Sequence, residues 1–156
     1  MSAMTDILEN KFIDWFFRAQ AIGLAGASAA AGTGPANLYF ALYTVAPTDS
    51  SAGTEVTGGS YARQGVVSAL ANWAGTQSAG STAASSGTSG TTSNNNLITF
   101  PSPSGNWGTI VAWGICDSVS GGSLLFYTLQ TPNKTVNNGD PAPTIAISAA
   151  QVQIDN

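Results

Sequence analysis

From Asn37 to the end of the chain, short apolar or alternating segments are separated by glycine and proline. In the first of them, Leu38, Phe40 and Leu42 recur every second residue, which is the period of a β-strand. The residues between them are also apolar or aromatic, so both faces of this strand should be covered. Further strands are predicted at residues 54–57, 61–70, 97–100, 109–116, 124–130, 134–136, 144–147 and 152–154.

This succession of short strands and Gly/Pro turns predicts a mainly β fold. We expect an antiparallel β-sandwich or jelly-roll-like body, preceded by one N-terminal α-helix. The order of the strands is left open by the pattern.

Residues 5–22 are predicted to form that helix. Thr5 is a suitable N-cap, and Asp6 and Glu9 lie in the first turn, where the helix dipole favours acids. Apolar residues then recur every three or four positions, at Leu8, Phe12, Trp15, Ala19 and Ile22. A Gly/Ala-rich segment follows, so we predict an arm and linker over residues 1–36 and a β-sandwich domain over residues 37–156.

The apolar face of the helix is wider than a lone surface helix needs. The helix could pack on its own domain or, as we slightly favour, dock on a second subunit. Candidate interface residues are Leu8, Phe12, Trp15, Phe16, Ile22, Trp73 and Arg63.

Residues 75–96 consist only of Gly, Ser, Thr, Ala, Gln and Asn. Such a composition is typical of a flexible loop. We expect this loop to be ordered by contacts with neighbouring subunits.

Charged side chains are few: 4 Lys and Arg and 8 Asp and Glu among 156 residues, with no histidine. An ordinary domain has about a quarter of its residues charged. A nearly uncharged surface suits a protein that contacts other protein over much of its area. Scattered cations do not favour binding to nucleic acid, and no apolar run is long enough to span a membrane. The acids near the N-terminus do not fit a signal peptide.

The residues that enzymes use are largely missing from this sequence. Without histidine, neither a Ser/His nor a Cys/His nucleophile can be built, and zinc ligands are lacking. The acids Asp49, Glu55, Asp117 and Asp140 fall in turns, where carboxylates usually accept hydrogen bonds from backbone amides. A catalytic carboxylate pair or a calcium site is a weaker interpretation. We predict no enzyme activity, no cofactor and no metal.

Three further side-chain roles can be weighed. Cys116 lies in an apolar run and should be a buried thiol; as the sole cysteine it cannot form an intrachain disulfide. Arg63 should pair with an acid such as Glu55 or with one on a neighbouring chain. Aromatic residues, among them Trp73, Trp107 and Tyr127, could stack on sugars, but core or subunit packing is the commoner role.

Several stretches resemble a known family. These are LYFALYTVAPTD at 38–49, GTEVTGGSYARQ at 53–64, ITFP at 98–101, GNWGTIVAWGICD at 105–117 and GGSLLF at 121–126. LENKFID at 8–14 resembles the start of the same family. The chain is similar over most of its length, except at about residues 71–93, to small virion proteins of tailed bacteriophages, labelled tail fibre or head decoration proteins.

The resemblance implies a structural virion component made in the cytoplasm of a bacterial host. We expect a capsid decoration or cement protein on the capsid exterior that bridges major capsid protein subunits. The expected partners are the major capsid protein and further copies of the chain, as a dimer or trimer. The alternative is a tail or tail-fibre component involved in host attachment, and the third hypothesis is a glycan-binding module.

Overall fold

The computed structural model describes residues 4–25, 34–75 and 80–154. Within these ranges the chain forms one N-terminal helix and nine strands, and the pairing of the longer strands is antiparallel. The predicted mainly β fold with one N-terminal helix is therefore confirmed. In chain order the elements are α1 (Asp6–Phe16), β1 (Asn37–Val45), β2 (Thr54–Glu55), β3 (Gln64–Val67), β4 (Thr91–Ser93), β5 (Ile98–Thr99), β6 (Gly108–Cys116), β7 (Leu124–Val136), β8 (Thr144–Ile145) and β9 (Gln151–Gln153).

The chain divides into two compact units. The first comprises residues 1–36, 67–97 and 145–156, and the second comprises 37–66 and 98–144. Whether 1–36 and 37–156 behave as separate domains stays a prediction. Among the described residues, no helix is both long and apolar enough to cross a membrane.

The second unit is built on a five-stranded sheet in the order β2-β1-β6-β7, with β3 also paired to β1. Its central strands β1 and β6 are antiparallel, with Phe40 opposite Ile115 and Leu42 opposite Trp113. Residues on both faces of these strands are buried, as their apolar composition predicts. One face buries Phe40, Leu42, Trp113 and Ile115. The other face buries the cluster of Ala41, Tyr43, Ala112 and Cys116. The centre of this sheet is therefore packed on both faces.

The first unit contains α1 and a two-stranded antiparallel sheet of β4 and β9, with Thr92 opposite Val152. Its largest fully buried side chain is Trp73, whose ring centroid lies 4.9 Å from that of Phe17. Sequence reasoning missed β4, because its three residues belong to the low-complexity segment at 75–96. Strand β4 forms because it is paired with β9 and not because of its composition.

The helix is shorter than predicted, ending at Phe16 and not near Ile22. Ala19 adopts a left-handed conformation (φ 54°), which a continuing α-helix cannot contain. Just before it, Arg18 is completely buried. The chain thus leaves the helical path where the Arg18 side chain turns into the protein. Thr5 occupies the predicted cap position, although its side chain makes no capping hydrogen bond.

Candidate assembly site

Strand β7 lies at one edge of the five-stranded sheet. Residues 124–130 are rich in aromatic and bulky apolar side chains, a composition that favours an extended strand. Among the described residues β7 pairs with β6 alone, with Tyr127 opposite Gly114 and Leu129 opposite Ala112. Tyr127 is 39% and Leu129 63% exposed. The outer backbone edge of β7 therefore has no neighbouring strand in the described part of the chain.

The two halves of this edge differ in chemistry. The half of β7 nearer its C-terminal end, here called the distal half, carries Pro132 and Lys134. Its pairing with β6 shifts register between Ile110 and Ala112. Proline, lysine and irregular pairing are the features by which natural edge strands avoid joining another sheet. The proximal half, Leu124–Leu129, has neither a charge nor a proline. We call these six residues the open edge.

An ion pair between Arg63 and Glu55 of β2 connects this sheet to the turn at residues 118–121. Arg63 donates to both carboxylate oxygens of Glu55, with Nε–Oε1 2.9 Å and Nη2–Oε2 2.7 Å, a bidentate geometry. Its Nη1 also donates to the carbonyl oxygens of Ser118 (2.7 Å) and Gly121 (2.8 Å). The predicted pairing of Arg63 with Glu55 is confirmed. Arg63 thus ties β2 to the turn that precedes β7.

Tyr61 completes this cluster. Its hydroxyl donates to Glu55 Oε1 (2.8 Å) and accepts from the backbone amide of Leu42 (3.0 Å). Burial would raise the pKa of Glu55, but hydrogen bonds from Arg63 and Tyr61 outweigh it and lower that pKa. Burial, together with the bond to Glu55, raises the pKa of Tyr61. The cluster therefore keeps one cation and one anion paired, and adds no net charge to the unit.

Of the four acids expected to accept from backbone amides, two do so, whereas Glu55 accepts from Arg63 and Tyr61 and Asp49 accepts from the Tyr127 hydroxyl (2.8 Å). Asp117 accepts from the amide of Ser123 (2.7 Å), and Asp140 accepts from the amide of Asn137 (2.7 Å). Cys116 is buried, as predicted, and its thiol lies 3.6 Å from the Tyr43 hydroxyl. Burial raises the pKa of the Cys116 thiol. Among the described residues, no three carboxylate, thiol or imidazole groups come together in a way that could hold a metal.

The predicted interface residues of the first unit fall into two groups. Leu8, Phe12, Trp15 and Phe16 are partly exposed on α1, and the rings of Phe12 and Phe16 stack with centroids 5.3 Å apart. Ile22 is also partly exposed but lies beyond the helix. Trp73 has no exposed surface and packs in the core, the alternative that sequence analysis left open for the aromatic residues. An interface role for these side chains stays a prediction.

Residues 80–85 of the low-complexity segment are held by their own chain through Arg18. This guanidinium is paired with Asp14 and donates to the carbonyl oxygens of Trp73 (3.1 Å) and Ala83 (2.6 Å). Asp14 in turn accepts from the Ser85 amide (3.1 Å) and hydroxyl (2.6 Å). The expectation that neighbouring subunits order this loop is therefore not needed for residues 80–85. Sequence reasoning missed this cluster, and the i, i+4 spacing of Asp14 and Arg18 was the signal that could have indicated it.

One family of known proteins matches the chain. The family model described as Podophage GP4 fiber I protein gp80 matches residues 3–154, which is nearly the whole sequence. No curated protein matches the chain.

Proposed function

Because the chain belongs to the podophage GP4 fiber I protein gp80 family, we propose that it is a non-enzymatic structural subunit of a phage fibre. Membership of a phage fibre family implies a location in the virion. It favours the tail-fibre alternative over the capsid decoration protein that the sequence first suggested. We further propose that copies of the chain join through the open edge, Leu124–Leu129.

The observation that carries this proposal is the contrast between the two halves of β7. An exposed strand edge offers a row of backbone donors and acceptors to any strand that approaches it. A proline and a lysine protect the distal half, whereas the open edge has no such protection. A protein that had to remain monomeric would be expected to protect both halves.

A second copy of the chain is the partner that fits the open edge best. Identical surfaces repel one another when they carry charge, and none of the six residues is charged. Backbone hydrogen bonds between two edges would supply the affinity, and the exposed side chains of Tyr127 and Leu129 would supply apolar contact. Scarcity of charge over the whole chain is consistent with a protein that contacts further copies of itself.

Substitution of one exposed leucine tests the assembly. Leu129→Lys places a cation on the open edge without disturbing the core, since Leu129 is 63% exposed. In a dimer or larger assembly these cations would face each other, so the dissociation constant of the assembly should rise by about tenfold or more. The matched control is Leu97→Lys, which adds the same charge at a leucine of the first unit that is 56% exposed.

Light scattering coupled to gel filtration would report the mass of both variants across a concentration series. Equal masses for Leu129→Lys and the wild type at every concentration would refute assembly through this edge. So would a monomeric wild type at all concentrations.

The position in the particle requires a separate experiment. Immunogold labelling of intact virions should mark fibres, and quantitative electrophoresis should give far fewer copies than the major capsid protein. Label spread over the head, with a copy number close to that of the capsid protein, would instead support capsid decoration.

A further inference from the structure

Two turns of the second unit enclose an open groove with a volume of about 520 Å³. One wall is the turn after β1, residues 48–52, and the other is the segment 122–125 at the start of β7. Tyr127 also lines the groove. The volume is in the range of natural small-molecule sites, from about 300 to 1,000 Å³.

Hydrogen bonds fix both walls in place. Thr48 and Ser51 exchange backbone hydrogen bonds of 2.8 and 3.2 Å, which close the first turn. In the second wall, Asp117 accepts from the Ser123 amide (2.7 Å) and donates its own amide to the Ser123 carbonyl (3.2 Å). The Tyr127 hydroxyl donates to Asp49 Oδ1 (2.8 Å) and so connects the two walls. The groove is therefore formed before any ligand arrives.

The groove is lined by only a few kinds of chemical group. It contains one carboxylate, Asp49, several hydroxyl groups, one aromatic ring and the apolar side chains of Leu124 and Leu125, but no cation. Within the described ranges Asp49 Oδ2 and the hydroxyls of Thr48 and Ser50 make no hydrogen bond to the protein. A preformed groove thus keeps unused acceptors beside an exposed tyrosine ring.

We propose that this groove binds a neutral, hydroxyl-rich saccharide. Asp49 Oδ2 would accept hydrogen bonds from sugar hydroxyls, which are shorter and stronger when the acceptor is a carboxylate. The Tyr127 ring, 39% exposed, and the neighbouring leucine side chains offer an apolar surface to the C–H face of a sugar ring. Because the groove has a carboxylate and no cation, it disfavours phosphates and acidic sugars.

The structure also shows which aromatic residues cannot serve this purpose. Trp73 is 0% and Trp107 4% exposed, so neither ring is open to a ligand. Of the tryptophans and tyrosines that the sequence offered for sugar stacking, Tyr127 lines the groove. Leu124, Leu125 and Tyr127 belong both to the groove and to the open edge, whereas Asp49 lies outside β7 and belongs to the groove alone. Substitution of Asp49 therefore tests the groove separately from assembly.

Saturation-transfer NMR with maltotriose, lactose and N-acetylglucosamine trimer would test the proposal, with sialyllactose as the acidic comparison. We expect saturable binding of at least one neutral probe and weaker binding of sialyllactose. Asp49→Ala should weaken binding on the order of tenfold or more, since it removes a charged hydrogen-bond acceptor. Asp6→Ala, which removes the same charge from the exposed first turn of α1, should leave binding unchanged.

Tyr127→Ser gives a second test, because it removes the ring and retains a hydroxyl. Binding should be lost, and light scattering on the same samples shows whether assembly changed as well. Loss of binding by Asp49→Ala at an unchanged mass separates the groove from the open edge. The proposal is overturned if none of the neutral probes binds, or if Asp49→Ala binds as tightly as the wild type.

Discussion

Replacement of Arg18 by methionine should cost the protein a large share of its stability. Arg18 is 0% exposed, and it pairs with Asp14, whose side chain is 12% exposed. Removing one partner of a buried pair leaves the other charge uncompensated, at a cost of about 3–5 kcal/mol. The donors to the Trp73 and Ala83 carbonyls are lost as well. A whole domain is stable by only about 5–15 kcal/mol, so Arg18→Met should unfold at much lower urea concentration.

The charge of Asp14 is the reason for most of that cost, and a double mutant isolates it. Arg18→Met combined with Asp14→Leu removes both charges and should recover part of the loss, giving a coupling free energy of about 1–3 kcal/mol. Urea unfolding followed by circular dichroism would measure the two single variants, Arg18→Met and Asp14→Leu, and the double variant. Lys11→Met is a control, since it removes a partly exposed cation from the same helix as Asp14 and should change stability by less than about 0.5 kcal/mol.

Hydrogen exchange gives a local readout of the same cluster. The Ser85 amide donates to Asp14, so its exchange should be faster in Arg18→Met than in the wild type under native conditions. A loss below about 1 kcal/mol, or unchanged exchange at Ser85, would show that Arg18 does not hold residues 80–85.

Three further predictions concern the second unit. The folded protein lowers the pKa of Glu55, so its ion pair stabilises the protein above the ordinary glutamate pKa of about 4.3, and this contribution is lost as the pH falls through the folded pKa. In urea titrations, Glu55→Gln should be less stable than the wild type at neutral pH and should lose less additional stability on acidification. If the acid dependence of stability is the same in both proteins, the ion pair does not have this role. Cys116 should not react with a thiol reagent until the protein unfolds, because this residue is 1% exposed and the pKa of its thiol is raised. Rapid labelling of the native protein would disprove this. Gly114→Ala should lower the free energy of unfolding by about 1–3 kcal/mol, since a Cβ there would lie 2.6 Å from Leu124 Cδ1 and 2.9 Å from the Phe126 carbonyl oxygen. A thermal unfolding midpoint equal to that of the wild type would show that β7 can move to make room for the methyl group.

Much of the fold could be predicted because β-strands leave a local signature. The alternation at Leu38, Phe40 and Leu42, and the apolar run that becomes β6, both lie in strands buried on two faces. The segments 124–130 and 134–136 were predicted separately and form the single strand β7. Pro132 in the intervening residues indicated a break, yet at a sheet edge a proline does not interrupt a strand.

Two elements could not be predicted because their cause lies elsewhere in the chain. Strand β4 has the composition of a loop, and it is extended because β9, at residues 151–153, supplies its hydrogen bonds. The helix ends six residues before its apolar pattern does, because the chain turns at Ala19 and Arg18 is buried with Asp14. Local patterns report which face of an element is apolar and do not report a partner that is distant in sequence.

The β class, the lack of a histidine-based catalytic group and the resemblance to phage virion proteins could all be read from the amino-acid sequence. Each depends on which residues are present and on their short-range spacing. The tertiary structure is what places Trp73 in the core, holds residues 80–85 through Arg18 and brings Asp49 and Tyr127 together in one groove. It also decided that β7 is an edge strand. These properties depend on strand order and on contacts between residues far apart in the sequence, and the spacing of neighbouring residues does not specify such contacts.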